Sequence, residues 1–171
     1  MGVNPLVLVG TAVLGLGVLL HIVGMATPVW SVVKGDSDTS FGVFKRCAKV
    51  FGSHVCVSYI VTTAEYKAVQ AMTIIGVLFG GVALAVSVLI VVFSLTGKSQ
   101  HKMMPLLAVG ASFGSFFFIL LGVIIWGAAI HADNSSLLDI GYSFILSIVG
   151  GILVAVGGII GYIGGRDIVV S

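Results

Sequence analysis

The two cysteines and four histidines are the side chains of this 171-residue chain most suited to covalent or metal chemistry. The histidines stand far apart, at His21, His54, His101 and His131. None has a serine or cysteine nucleophile at a recognisable motif spacing, and none has the neighbouring ligands that a metal site needs. The sequence also lacks a phosphate-binding glycine loop and paired carboxylates within an apolar segment. We therefore expect no enzyme, no cofactor and no metal.

The chemistry that remains is a disulfide between Cys47 and Cys56. Residues 41–49 and 54–63 are rich in strand-forming residues and flank Phe51-Gly52, where a turn is expected. A two-residue turn there pairs 50 with 53, 49 with 54, 48 with 55 and 47 with 56, so the cysteines face each other in a non-hydrogen-bonded pair. Such a bond stabilises the hairpin by roughly 2.5–3 kcal/mol in the chain-entropy model. The alternative is two free thiols.

Charged residues are scarce and unevenly distributed. They make up 8% of the chain, against 58% hydrophobic residues and a mean hydropathy of +1.24. Four charge-free stretches each exceed the roughly 20 apolar residues that cross a bilayer as a helix. They lack the alternating polarity of barrel strands, so we predict four spanning helices. These cover residues 6–27, 69–95, 106–130 and 140–163. This pattern excludes a soluble enzyme, a nucleic-acid-binding protein and a disordered tail.

The even number of spans places both termini on one side of the membrane. Basic residues favour the cytoplasm for the 96–105 loop and the tail; they are Lys98, Lys102 and Arg166. The 28–68 loop carries five basic and three acidic residues, which by count alone would place it inside too. We place it outside because it holds both cysteines, and paired cysteines belong to oxidising compartments.

The 131–139 loop then also lies outside, where Asn134 begins a glycosylation sequon whose use stays open. The first span lacks a basic leader and exceeds the roughly 7–15 apolar residues of a signal-peptide core, so we expect it to be retained. The spans contain no Asp, Glu, Lys or Arg, which disfavours a pump, a coupled transporter or a voltage sensor. We expect His21, the ionisable residue within a span, to be neutral and structural.

Glycine accounts for 24 residues, and much of it falls within the predicted spans. Gly-x-x-x-Gly spacings let transmembrane helices approach closely. The glycines at these spacings are Gly76, Gly80, Gly110, Gly114, Gly157, Gly161 and Gly165. They predict packing within a four-helix bundle; alternatively, one such face on the fourth helix docks a neighbouring subunit.

Several residues together resemble a family signature. Trp30, Gly42-Val43-Phe44, Cys47 and Cys56 are similar to the Trp…Gly-Leu-Trp…Cys…Cys signature of claudins and their relatives, the peripheral myelin, epithelial membrane and lens tetraspan proteins. The chain length, the four spans, the long first outer loop and the short second one match along the whole chain. Phe44 stands where claudins usually have a second tryptophan, and the interval from Trp30 to Gly42 is shorter than usual.

The resemblance implies one domain over residues 1–171: an all-α membrane protein with a small β-sheet. Its fold would be a left-handed four-transmembrane-helix bundle capped by an extracellular antiparallel sheet, built mostly from the first outer loop with one strand from the second. By analogy, Trp30 anchors the sheet to the bundle near the bilayer surface. In claudins the sheets pair edge to edge within one membrane, and the loop tips meet molecules on the next cell, forming a barrier or an ion-conducting gap at tight junctions.

Lys45, Arg46 and Lys49 lie close to the cysteines in sequence. If this loop lines a pore, its excess of basic residues favours anions, since fixed cations attract them. The alternative is that these charges merely solvate the loop.

The expected partners are the lipid bilayer and other copies or claudin-like proteins, in the same and adjacent membranes. We expect no PDZ scaffold, because PDZ grooves take an apolar terminal side chain and this sequence ends in Ser171. We also expect no nucleic acid. The predicted function is a claudin-like structural protein of cell–cell contacts at the plasma membrane. The alternatives are a myelin- or lens-type membrane-organising tetraspan and an auxiliary subunit of an ion channel.

Overall fold

The computed structural model describes residues 4–59, 63–97, 102–132 and 136–170, without the side chains of residues 36–37 and 167–170. Four helices and a five-stranded sheet make up this part of the chain. The helices are α1 (Pro5–Ala26), α2 (Ala64–Thr96), α3 (Met104–Ile125) and α4 (Tyr142–Val170), and α3 continues as a π-helical segment, Trp126–His131. The strands are β1 (Ser31–Val33), β2 (Asp36–Phe41), β3 (Lys45–Val50), β4 (Ser53–Ser58) and β5 (Leu138–Ile140).

The four apolar helices confirm the predicted fold class. Each is long and apolar enough to cross a membrane, and their exposed surfaces carry many Leu, Ile, Val and Phe side chains. Water would not tolerate so much exposed apolar surface on a monomer, whereas lipid does. The chain is therefore a multi-pass membrane protein.

Prolines and glycine mark several of the helix ends. Pro5 opens α1 and Pro105 lies in the first turn of α3, positions where the missing amide proton is not needed. Gly97 follows α2 in the left-handed conformation, with φ of 66°. The helix α2 begins five residues before the predicted span, and α4 extends seven residues beyond it. Charged residues show where the apolar stretch ends, but a helix can continue past that point.

The sheet is antiparallel throughout and lies at one end of the bundle, here termed the sheet end. Its strand order is β4-β3-β2-β1-β5, so the segment before α4 contributes the edge strand β5. The β3–β4 hairpin has the predicted register, with Cys47 opposite Cys56 and Val50 opposite Ser53. Phe51 and Gly52 both have positive φ, 49° and 82°, as a two-residue hairpin turn of the favoured hand requires.

Strand β2 has no counterpart in the sequence prediction. Its residues, Asp36–Phe41, are mostly Asp and Ser, which are poor strand formers, yet pairing with β1 on one side and β3 on the other holds them extended. Phe41 ends this strand, and the chain turns at Gly42-Val43-Phe44 before β3 begins. The expectation of one strand over residues 41–49 is therefore wrong at its start. The predicted strand over residues 54–63 ends at Ser58, and residues 60–62 lie outside the described part.

Candidate functional site

The sheet is seated on the helices through one apolar cluster, here called the cap cluster. Its buried members are Trp30, Val43, Val69, Ile119, Val123, Trp126 and Ile130. They come from the segments around the sheet and from α2, α3 and the π-helical segment. Burial of so many large side chains fixes the sheet against the bundle.

Trp30 is the centre of this contact and is fully buried. Its indole Nε1 donates a hydrogen bond of 2.7 Å to the carbonyl oxygen of Gly24, near the end of α1. Its ring packs edge-on against Trp126 and Phe144, with centroid distances of 5.1 and 5.6 Å. The backbone of Trp30 also bonds Phe41 and Gly141, so this residue joins the sheet to α1, α3 and α4.

The segment Gly42-Val43-Phe44 lies directly on the helix ends. A Cβ at Gly42 would lie 2.5 Å from the Cα of Pro28, so a side chain there would push the segment away from the chain that follows α1. Val43 is buried, and its carbonyl oxygen accepts a hydrogen bond of 2.9 Å from the Gln70 side chain on α2. Phe44 packs against the cap cluster as a partly buried ring.

Cys47 and Cys56 form the disulfide, with their Cα atoms 4.1 Å apart. This spacing is that of a non-hydrogen-bonded antiparallel pair. The bond ties β3 to β4, which is one of the two edge strands of the described sheet. All six residues of β4 are exposed.

The three basic residues near the cysteines do not act as one group. Because side chains alternate along a strand, Lys45 and Lys49 share the face of Cys47, whereas Arg46 lies on the opposite face. Lys49 forms an exposed ion pair with Asp38 at 3.4 Å. Such surface pairs contribute little to stability, so this contact orients the side chains more than it holds the sheet.

Arg46 pairs across the sheet with Phe41, whose ring packs against the cap cluster. It also lies near Tyr59. Burial and the neighbouring Tyr66 raise the pKa of Tyr59, and the charge of Arg46 partly opposes this rise. The phenol rings of Tyr59 and Tyr66 lie 5.0 Å apart, which joins the end of the hairpin to the first turns of α2.

A small cavity of about 290 Å³ lies between the sheet and the helices. Its wall includes Ser31, whose hydroxyl accepts a hydrogen bond of 3.1 Å from the Trp126 indole and bonds His131 Nδ1 at 3.2 Å. Trp126 and His131 are the first and last residues of the π-helical segment. Sequence reasoning missed this polar group because its members lie about 100 residues apart.

His21 lies deep in the bundle and is almost fully buried. Its Nε2 is 3.4 Å from the carbonyl oxygen of Thr73 on α2. In the described part of the chain, its Nδ1 has no hydrogen-bond partner.

The predicted packing glycines fall into two groups. Neighbouring helices closely contact five of them, at Gly76, Gly80, Gly114, Gly157 and Gly165. Gly110 and Gly161 have open space where a Cβ would stand. The neighbour of Gly157 is α1 of the same chain, so this position is used within the bundle.

Sequence reasoning named Gly157 but missed the other close glycine contacts between α1 and α4, among them those of Gly17 and Gly150. A Cβ at Gly17 would lie 2.7 Å from the Gly150 oxygen, and one at Gly150 would lie 2.7 Å from the His21 amide nitrogen. Gly10, Gly17 and Gly24 follow one another at intervals of seven on α1, and that repeat was the available signal.

Sequence reasoning found no Gly-x-Ser-x-Gly motif, which is wrong, because residues 110–114 read Gly-Ala-Ser-Phe-Gly, the spacing of a hydrolase nucleophile turn. Ser112 is buried in the middle of α3, and its hydroxyl donates to the Ala108 carbonyl oxygen at 2.8 Å. A nucleophile of this type requires a strand-to-helix turn that exposes the serine. The structural context for this motif is absent at Ser112.

Two further predictions concern other parts of the chain. The sequon residue Asn134 lies outside the described residues. Within the described ranges, no three His, Cys, Asp or Glu side chains are grouped to hold a metal ion.

The sequence model of the PMP-22/EMP/MP20/Claudin family matches residues 4–161, which is nearly the whole chain. No curated protein matches the sequence.

Proposed function

The chain belongs to the PMP-22/EMP/MP20/Claudin family, and on this premise we propose that it is a structural protein of cell–cell contacts, not an enzyme. It assembles with copies of itself or with other claudin-like proteins, laterally and across cells. The assemblies form or regulate a paracellular barrier or an adhesion. This requires the sheet end to face outward and both termini to face the cytoplasm at the plasma membrane.

The free β4 edge is the observation that carries this proposal. An exposed strand edge offers unpaired backbone N–H and C=O groups to another chain, and natural proteins usually protect such edges with charge, proline or a covering segment. The strand Ser53–Ser58 contains no Asp, Glu, Lys, Arg or Pro. Its Val55 and Val57 side chains are 46% and 44% exposed. An edge of this kind suits pairing with a neighbouring molecule.

Other features support the same reading. The disulfide fits an oxidising, extracellular setting for the sheet. Phe51 projects fully exposed from the tip of the β3–β4 hairpin, where it can meet another molecule. The cap cluster holds the sheet in a fixed position on the bundle. When copies of the bundle assemble in the membrane, their packing therefore sets the distance between the exposed sheet edges of neighbouring molecules.

The proposal is tested by expressing the tagged chain in cells that lack junctional strands and imaging contacts by freeze-fracture. We expect continuous intramembrane strands at contacts between expressing cells. Strands that are absent, together with a diffuse surface signal and a co-purifying channel, would instead support an auxiliary-subunit role.

The edge itself is tested with a matched pair of variants. Since 47/56 and 49/54 are non-hydrogen-bonded pairs, the backbone N–H of His54 points away from β3. His54→Pro removes this outward donor and leaves the hairpin ladder intact, whereas His54→Ala keeps it. We expect the His54→Pro protein to reach the cell surface with its disulfide but to form no intramembrane strands at cell contacts. His54→Ala should form these strands normally. Equal strand formation by both variants would refute edge pairing.

A further inference from the structure

A groove on the lipid-facing surface lies between α2 and α3, at the end of the bundle opposite the sheet. Its volume is about 800 Å³, within the roughly 300–1,000 Å³ typical of ligand pockets. Leu78, Phe79 and Val82 of α2 form one wall, and Met103 with residues of the first two turns of α3, up to Ala111, forms the other. The lining is almost entirely apolar, so the groove suits a hydrocarbon ligand.

Gly110 explains why the groove exists. Gly114, one turn away, lies against Phe79, where a Cβ would be 2.8 Å from the ring. At Gly110 no atom lies within 4 Å of the place of a Cβ. Because Gly110 has no side chain, the surface of α3 is open at this point. Gly110 is therefore not used to pack α3 against another helix.

The groove has a closed end and an open end. The Phe79 ring, stacked on Phe118 at 5.5 Å between centroids, closes it toward the middle of the bundle. Residues 103–111 of the wall cover eight helical rises, or about 12 Å. One leaflet of the hydrocarbon core is about 15 Å deep. The length of the groove therefore matches the depth of one leaflet. A transmembrane helix of a second copy crosses both leaflets and would need a longer contact surface.

The open end carries positive charge. The exposed Lys102 directly precedes Met103, which lines the groove. The sequence also contains Lys98 in this loop and has no Asp or Glu between Glu65 and Asp133. Basic residues beside grooves between transmembrane helices attract anionic lipid headgroups.

We propose that this groove binds one acyl chain of an anionic phospholipid whose headgroup lies against Lys102. The flexible Met103 and Met104 side chains line the mouth and adapt to the chain that enters. In the orientation proposed above, the lipid comes from the cytoplasmic leaflet, which is rich in anionic lipid. The binding itself does not depend on that orientation or on the junctional function.

The test uses the purified full chain in nanodiscs of phosphatidylcholine doped with a phosphatidylserine probe that carries a photoactivatable acyl chain. Crosslinked positions are mapped by mass spectrometry after proteolysis. Gly110→Leu fills the groove. Gly81→Leu is its control, because Gly81 is also exposed on a helix with no atom within 4 Å of a Cβ and does not line the groove.

We expect labelling of residues 103–111 at least fivefold above that of the lipid-facing side of α1. It should fall at least fivefold in Gly110→Leu and stay unchanged in Gly81→Leu. A phosphatidylcholine probe should label the groove at least threefold less than phosphatidylserine, and Lys102→Ala should remove this difference. The proposal would be overturned by any of three results: labelling that is unchanged in Gly110→Leu, equal labelling by the two lipid probes, or crosslinks between two copies of the chain through the groove.

Discussion

Trp30 connects the sheet to three helices through atoms that sequence spacing does not bring together. The family signature predicted its anchoring role by analogy, and the structure places its indole against Gly24, Trp126 and Phe144. The signature could identify Trp30, but its ring partners depend on how the distant helices pack.

Trp30→Phe should lower the free energy of unfolding by about 1–3 kcal/mol, because it removes a buried hydrogen bond and leaves space in the cap cluster. Denaturation of the purified protein in a mild detergent measures this change. Phe51→Leu is the control and should have little effect, because Phe51 is fully exposed. Equal losses in both variants would contradict an anchoring role.

Phe51 has a φ of 49°, a conformation that bulky L-residues adopt at a cost of about 1–2 kcal/mol. Phe51→Asn should stabilise the hairpin by up to about 1 kcal/mol, since Asn-Gly suits this turn and no packing is lost. Hydrogen exchange of the β3–β4 amides measures the effect. If Phe51 serves contact between molecules, the same variant should weaken cell–cell adhesion, although the isolated hairpin is more stable. Unchanged adhesion in Phe51→Asn would show that Phe51 does not take part in the contact between molecules.

At the scale of elements, the sequence predicted the helices and the β3–β4 hairpin well because both depend on local signals. Apolar runs define spans, and the Phe51-Gly52 turn fixes the register that joins the cysteines. Strand β2 could not be predicted in this way, because its polar residues become extended only through partners on both sides. The α1 side of the α1–α4 contact was missed for a similar reason, because Gly10 and Gly17 matter through the helix that they face.

Gly17→Ala tests the α1–α4 contact. The added Cβ would lie 2.7 Å from backbone atoms of α4, which cannot move without separating the helices, so we expect a loss of about 1–3 kcal/mol in the free energy of unfolding. Gly161→Ala is the matched control, since its Cβ meets open space, and it should be neutral or slightly stabilising. Thermal unfolding in detergent measures both. A Gly17→Ala protein as stable as the control would show that the two helices are not so closely packed.

At the scale of the whole molecule, the orientation of the basic residues predicts how assembled copies would select ions. Lys45 and Lys49 lie on the disulfide face of the sheet, whereas Arg46 shares the face of Phe41, which packs toward the helices. If the proposed assembly conducts ions along the disulfide face, Lys45→Glu with Lys49→Glu should shift its preference from anions toward cations. Arg46→Glu is the control on the opposite face of the sheet and should change the ion preference less. Dilution potentials across a cell sheet measure the selectivity, and an unchanged preference in the double variant would refute pore lining by this face.

Cys47 and Cys56 also give the most direct test of the whole account, because they are the only cysteines in the chain and labelling at them is unambiguous. Intact cells expressing the protein are treated with a membrane-impermeant maleimide, before or after brief reduction with an impermeant phosphine, and the 47–56 peptide is weighed. Sheets that face the outside predict no labelling before reduction and two labels after it. Labelling without reduction, or only after the cells are permeabilised, would contradict an outward, disulfide-closed sheet and with it the proposed role at cell contacts.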